Sequence, residues 1–169
     1  SSGLWSVLRS SEDEVLKGSL LITLYENLRW KTISPQGFRE EMLAYLPNES
    51  NSLLFSMALS YLGDCQRIFP SDSRPLEQVL WKIVTTNPVS QHRLQAFRLY
   101  RSIADSEEAV QRLYTLWQER KAPKDCTLSE SDYIGLSYML AMHLPEKADK
   151  IIATQLSRIQ NPCLLYTSD

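Results

Sequence analysis

The sequence predicts an all-α fold: an irregular antiparallel α-solenoid of about eight helices, stacked as HEAT-like helical hairpins. Three observations predict it. Leucine supplies 26 of the 169 residues and glycine only 5, a balance that favours helices over turn-dense sheet folds. Apolar residues recur at three- and four-residue steps in segment after segment, and strand-like alternation appears nowhere. Short links rich in proline and N-capping residues join these segments, which makes consecutive helices antiparallel neighbours. There is no heptad seam and no strict repeat of roughly 34 or 42 residues, so neither a coiled coil nor a tetratricopeptide array is expected.

The first helix, about 12 to 29, is expected to start behind Ser11. Acidic Glu12, Asp13 and Glu14 favour its positive end, and Leu16, Leu20, Leu24 and Leu28 form a stripe that must be buried. Ser34-Pro35 announces a second helix, an N-cap followed by proline at the first helical position, which carries Phe38, Met42 and Leu46 to Pro47. A third, about 50 to 69, offers Leu54, Ala58, Tyr61, Leu62 and Phe69, with a bend expected near Gly63-Asp64. Ser73 is placed as the cap of a fourth, with Leu76, Val79, Leu80 and Ile83, closed by Asn87-Pro88. The fifth, about 89 to 104, buries Leu94, Phe97, Tyr100 and Ile103. Asp105 and Glu108 suggest a capping box for a sixth, with Val110, Leu113 and Trp117. After a loop at Lys121 to Lys124, Ser129 and Asp132 bracket a seventh with Tyr133, Leu136, Leu140 and Leu144. Pro145 opens an eighth with Ala148, Ile152, Leu156 and Ile159.

At 19.5 kDa, with 43% hydrophobic and 22% charged residues, the chain has enough apolar side chain for one good core. Its 18 basic and 20 acidic residues leave a net charge of −2, no excess with which to hold a nucleic-acid backbone or an anionic membrane. No apolar run approaches a membrane span and no signal-peptide pattern opens the chain, so the chain as given is expected to be soluble, its compartment unknown. Residues 1–162 form the expected helical domain, incomplete at both ends. The tail from Cys163 to Asp169 resembles the translation of a transposase-type sequencing adapter; a short native strand or coil is the other option.

Chemistry-bearing motifs are scarce. His92 and His143 belong to no H-E-x-x-H or other paired ligand pattern, and each is expected at a helix surface or helix end. Cys65 and Cys126 read as small, partly buried hydrophobes, with no visible cation nearby to lower a thiol pKa. No glycine-rich phosphate loop or serine nucleophile motif is present. Trp5, Trp30, Trp81 and Trp117 share no stripe and are expected to pack in the core or between helices. Arg93, Arg98 and Arg101 give the fifth helix a basic character. With His92 they line either a groove for a carboxylate-bearing peptide end or a solvated face with its own acidic neighbours.

The strings Lys17-Gly18-Ser19-Leu20-Leu21-Ile22-Thr23-Leu24-Tyr25-Glu26-Asn27, Ile33-Ser34-Pro35, Leu46-Pro47-Asn48-Glu49-Ser50-Asn51, Asp132-Tyr133 and Arg158-Ile159-Gln160-Asn161-Pro162 occur in this order. Together they resemble the C-terminal helical domain of aminopeptidase-N-like zinc aminopeptidases, bacterial members most of all. The resemblance spans about residues 10 to 162. It implies a parent enzyme that removes N-terminal residues from peptides. Zinc, its H-E-x-x-H motif and a G-x-M-E-N segment would lie in another domain, outside this chain. The fragment alone is then expected to be inactive, with no zinc of its own. Its partners would be the catalytic domain of the same polypeptide and the peptide substrate, with Lys17, Arg93, Arg98 and Arg101 as candidate lining of the peptide chamber. Where the family often has Asp-Arg, this sequence reads Leu16-Lys17. The alternative is a free-standing α-helical repeat scaffold that binds protein partners.

Overall fold

The structure, a computed structural model, describes residues 2–165, with side chains described for residues 3–163. Among them are α1 (Ser2–Ser10), α2 (Glu14–Arg29), α3 (Pro35–Tyr45), α4 (Ser52–Ile68), α5 (Arg74–Thr86), α6 (Ser90–Ile103), α7 (Glu107–Glu119), α8 (Glu130–His143), α9 (Ala148–Arg158) and the four-residue α10 (Pro162–Leu165). Short 3₁₀ turns, Leu46–Asn48 and Pro145–Lys147, precede α4 and α9. No strand occurs among the described residues. The all-α helical stack is therefore as the sequence predicts. Of the tail from Cys163 to Asp169, the side chains beyond Cys163 lie outside those described, and the reading of that tail lies there with them.

The helices form two layers. The even helices α2, α4, α6 and α8 pack in series, each against the next. Glycine sits at every one of these junctions. Gly18 of α2 faces Leu54 of α4. At Gly63 of α4 an added Cβ would lie 2.9 Å from Leu99 of α6, and at Gly135 of α8 it would lie 2.7 Å from the guanidinium of Arg101 on α6. The rings between even helices lie flat on one another: Tyr25 on Tyr61 at 4.2 Å, and His92 on Phe55 at 4.0 Å. The odd helices instead meet across large side chains. Trp5 of α1 packs edge-on against Phe38 of α3. The Arg112 guanidinium of α7 lies 4.7 Å over Trp81 of α5, and that of Arg158 on α9 lies 4.9 Å over Trp117 of α7. Glycine at the even junctions and large side chains at the odd ones distinguish an inner, even layer from an outer, odd layer.

Several local expectations change. α1, rooted by buried Trp5 and Leu8, precedes the first predicted helix. Asp13 rather than Ser11 caps α2, accepting from the amides of Val15 and Leu16. Leu16 is exposed because the buried stripe begins at Leu20 and runs through Leu21, Leu24 and Leu28. α4 continues through Gly63. Ser73 makes no cap hydrogen bond, since its hydroxyl donates to Glu77 at 2.8 Å, and Ser106, not Asp105, caps α7. The Ser129–Asp132 capping box of α8 forms as read. α9 starts at Ala148, after the turn carrying Pro145, and turns Ile151 and Gln155 inward, leaving Leu156 exposed. Trp30 is 77% exposed, unlike the other three tryptophans.

Candidate functional site

Three buried carboxylates, each at the start of a helix, organise the polar interior. Glu49 lies just before α4. It accepts from the amide of Asn51 at 2.7 Å and from the phenol of Tyr45, and it pairs with the ammonium of Lys17. Burial alone would raise its pKa; the hydrogen bonds from Lys17, Tyr45 and Asn51 outweigh that and hold it below the usual carboxylate range. The Tyr45 phenol is pushed well up by its burial and by Glu49 beside it. Glu77 of α5 reaches the start of α7. There it accepts from the amides of Asp105 and Ser106 at 2.9 and 3.0 Å and from the Ser106 hydroxyl, and these donors hold it below its ordinary value despite burial. Asp132 of α8 takes the Nε and Nη2 of Arg98 at 2.9 and 3.2 Å, together with the amide and hydroxyl of Ser129. It too is lowered against the pull of burial.

The four basic residues singled out in the sequence all belong to even helices, and each is engaged within the chain. Lys17 pairs with Glu49 and lies 5.5 Å over the Tyr45 ring. Arg93 donates to the carbonyls of Asn87 and Lys124 and sits 3.5 Å from Asp125, pinning the loop after α7 to the α5–α6 corner. Arg101 donates to the carbonyl of Asp132 at 3.1 Å and packs on Gly135. Its desolvation lowers its pKa from the usual arginine value. Arg98 keeps the most open side chain of the four, 49% exposed beside buried Asp132. Arg98 and Arg101 thus share one carboxylate, with Arg93 nearer the start of α6 and Lys17 on α2.

His92 does not join them at a surface. It is fully buried, its Nε2 lies 3.1 Å from the Ser52 hydroxyl, and its Nδ1 has no hydrogen-bond partner. Burial lowers its pKa, against a smaller opposing pull from Glu49. His143 ends α8 with Nδ1 2.9 Å from the Met139 carbonyl and Nε2 3.6 Å from Asp105. Cys65 and Cys126 are more deeply buried than expected. Burial pushes both thiols up, although the fold brings Arg39 within 3.5 Å of the Cys65 sulfur. Neither is poised as a nucleophile. Among the described residues no three His, Cys, Asp or Glu side chains converge on a point that would hold a metal, so the residues here do not fit a zinc site. Among them, too, no helix is long and apolar enough to cross a membrane.

Glu49, Glu77 and Asp132 as structural nodes escaped sequence reasoning, because each also takes a partner distant in the chain: Lys17, Ser106 and Arg98 respectively. The only local signal was the spacing of Ser129 and Asp132. Open clefts lie between successive helices of each layer. One of about 480 Å³, between α5 and α7, is lined by Glu77, Trp81 and Arg112; another of about 380 Å³ lies between α2 and α4. Compared with known proteins, the chain matches no family model, no curated protein and no solved structure.

Proposed function

We propose that this chain is a non-catalytic helical domain of a zinc aminopeptidase, which closes over a catalytic domain elsewhere in the polypeptide and limits peptide access to it. The observation that supports this reading is that two strings of the resemblance, far apart in sequence, meet in space: Lys17 of the first pairs with Glu49 of the third. The fold agrees in kind, being an irregular two-layer stack of helical hairpins. All four candidate lining residues stand on the even helices, Lys17 on α2 and the three arginines on α6. In this role the domain acts by shape, and Arg98 is its main exposed cation for a peptide carboxylate. The test is the coding sequence upstream of this chain. The proposal expects H-E-x-x-H and G-x-M-E-N in the same frame, and a frame lacking both would sink it. The second reading, a free-standing scaffold for protein partners, is favoured by the way Lys17, Arg93 and Arg101 are spent on the chain's own acceptors.

A further inference from the structure

The cleft between α2 and α4 differs from the others in its lining. Val15 and Ile22 of α2, 80% and 50% exposed, and Leu53 of α4, 69% exposed, stand around it. These are three large apolar side chains left wet on adjacent helices. Its floor is low because Gly18 has no side chain; a Cβ there would touch only Leu54, at 3.7 Å. The floor is also apolar, since the Ser19 hydroxyl turns back to donate to its own helix, at the Val15 carbonyl. From Glu14 to Ile22 the trough runs about 12 Å, the length of roughly two helical turns. No basic residue lines it, because Lys17 is turned away to Glu49. One end carries Glu14, preceded in the chain by Asp13 and Glu12, and neither Glu12 nor Glu14 pairs with a cation among the described residues. Asp13 caps α2 with a carboxylate while Asn51 caps α4 as a neutral amide, so Asp13, Glu14 and Glu12 leave that end acidic.

We infer that this trough is a docking site for an amphipathic helix whose apolar side is flanked by lysine or arginine, presented by a protein partner. Apolar residues of such a helix cover Val15, Ile22 and Leu53, while its basic flank meets Glu14 and Glu12. The same acidic end repels an anionic lipid surface. The inference holds under either reading of the chain's wider role.

The test titrates a labelled synthetic leucine–lysine helix of about 15 residues into the whole 169-residue chain, beside a leucine–glutamate helix with the same apolar face. The expected result is saturable binding of the leucine–lysine peptide, at least about tenfold tighter than that of its acidic counterpart. Gly18→Leu fills the trough and Leu53→Lys reverses its chemistry. Both sites are compatible with folding, which circular dichroism checks, and each should weaken binding about tenfold or more. Glu107→Lys, at an exposed position of α7, changes the charge more than Leu53→Lys does and should leave binding unchanged. Equal weakening by Glu107→Lys would reduce the effect to net charge and overturn the proposal, as would unaltered binding by folded Gly18→Leu. Co-sedimentation of the chain with phosphatidylcholine–phosphatidylserine vesicles, lost in Leu53→Lys, would assign the trough to lipid instead. A wild-type dimer that Gly18→Leu dissolves would assign it to a second copy. Either result overturns the proposal.

Discussion

The two layers of the stack solve the same packing problem with opposite side chains. Between even helices the junctions hold Gly18, Gly63 and Gly135, flat ring pairs and the ion pair of Arg98 with Asp132. Between odd helices they hold Trp5, Trp81 and Trp117, two of them roofed by guanidinium groups. Glycine at the tight contacts of Gly63 and Gly135, against tryptophan at the odd junctions, sets up a wedge of residue size between the two layers. The difference teaches that the contrast between the layers is written in residue size at particular junctions rather than in a repeated motif. It also explains where the polar groups went. Helices this close leave no room for an unmatched charge, so the inner layer's cations are tied to carboxylates or carbonyls.

The largest expected effect strikes both layers together. Leu24 is fully buried on α2, and Leu24→Asp places a carboxylate there with no partner. The cost is several kcal/mol, on the order of the whole stability, so the variant should lose its cooperative melting transition. An unchanged melt would place the buried face of α2 elsewhere. Next in size is the inner layer's polar node. Glu49→Ala strands the Lys17 ammonium and the Tyr45 phenol and frees the Asn51 amide, at about 3 kcal/mol. Denaturant unfolding should show it; a loss below about 1 kcal/mol would make the node ornamental.

The wedge itself is tested by changing size on each side. Gly63→Leu puts bulk where a Cβ alone would already crowd Leu99, and overpacking of this kind costs about 1–3 kcal/mol. Trp81→Leu on the outer side removes a half-buried ring from an open cleft, which should cost less. Chemical denaturation of the two variants compares them directly. If Gly63→Leu is the milder of the two, the inner layer has slack and the wedge argument fails.

Much of this architecture was legible because its signals are local. Ser34-Pro35 and the Ser129–Asp132 pair mark helix starts through bonds that span three residues. What stayed hidden depends on the neighbouring hairpin. Tyr25 finds Asp64 39 residues on, Ser52 finds His92 after 40, Arg98 finds Asp132 after 34 and Trp117 finds Gln155 after 38. These separations follow a rough two-helix period, yet the pairs share no chemistry, so no sequence repeat announces it. The inward face of α9 lies one position before the apolar stripe that its sequence offers, for a related reason. Its inward face includes Gln155, a polar residue buried to receive the Trp117 indole, and an apolar stripe cannot anticipate that. The basic run around His92 looked like surface, whereas the ring beside Arg93 is the one that turns inward onto Phe55.

The smallest expected effect belongs to that ring, and it sharpens the contrast because the outer layer buries no histidine among the described residues. Burial lowers the His92 pKa below the ordinary value near 6.5, so the unfolded chain takes up the proton first. Stability contributed by the neutral ring is therefore fully present above about pH 6.5. It declines as pH falls below that value, by at most about 1.4 kcal/mol per pH unit, until the folded-state pKa is passed. Around the ring, Ser52 on α4 offers a hydroxyl and Phe55 a face, and Glu49 is the one charge that favours protonation; Lys17 already neutralises it. The carboxylates Glu49, Glu77 and Asp132 have lowered pKa values and lose their contributions at more acidic pH, below the ordinary carboxylate range, so the two effects separate on the pH axis. Measured between pH 7.5 and 5, unfolding free energy should fall in the wild type, and His92→Phe should flatten that fall while leaving the acid limb below about pH 4 in place. A wild-type slope that persists undiminished in His92→Phe would show that the inner layer admits a proton at this ring without cost.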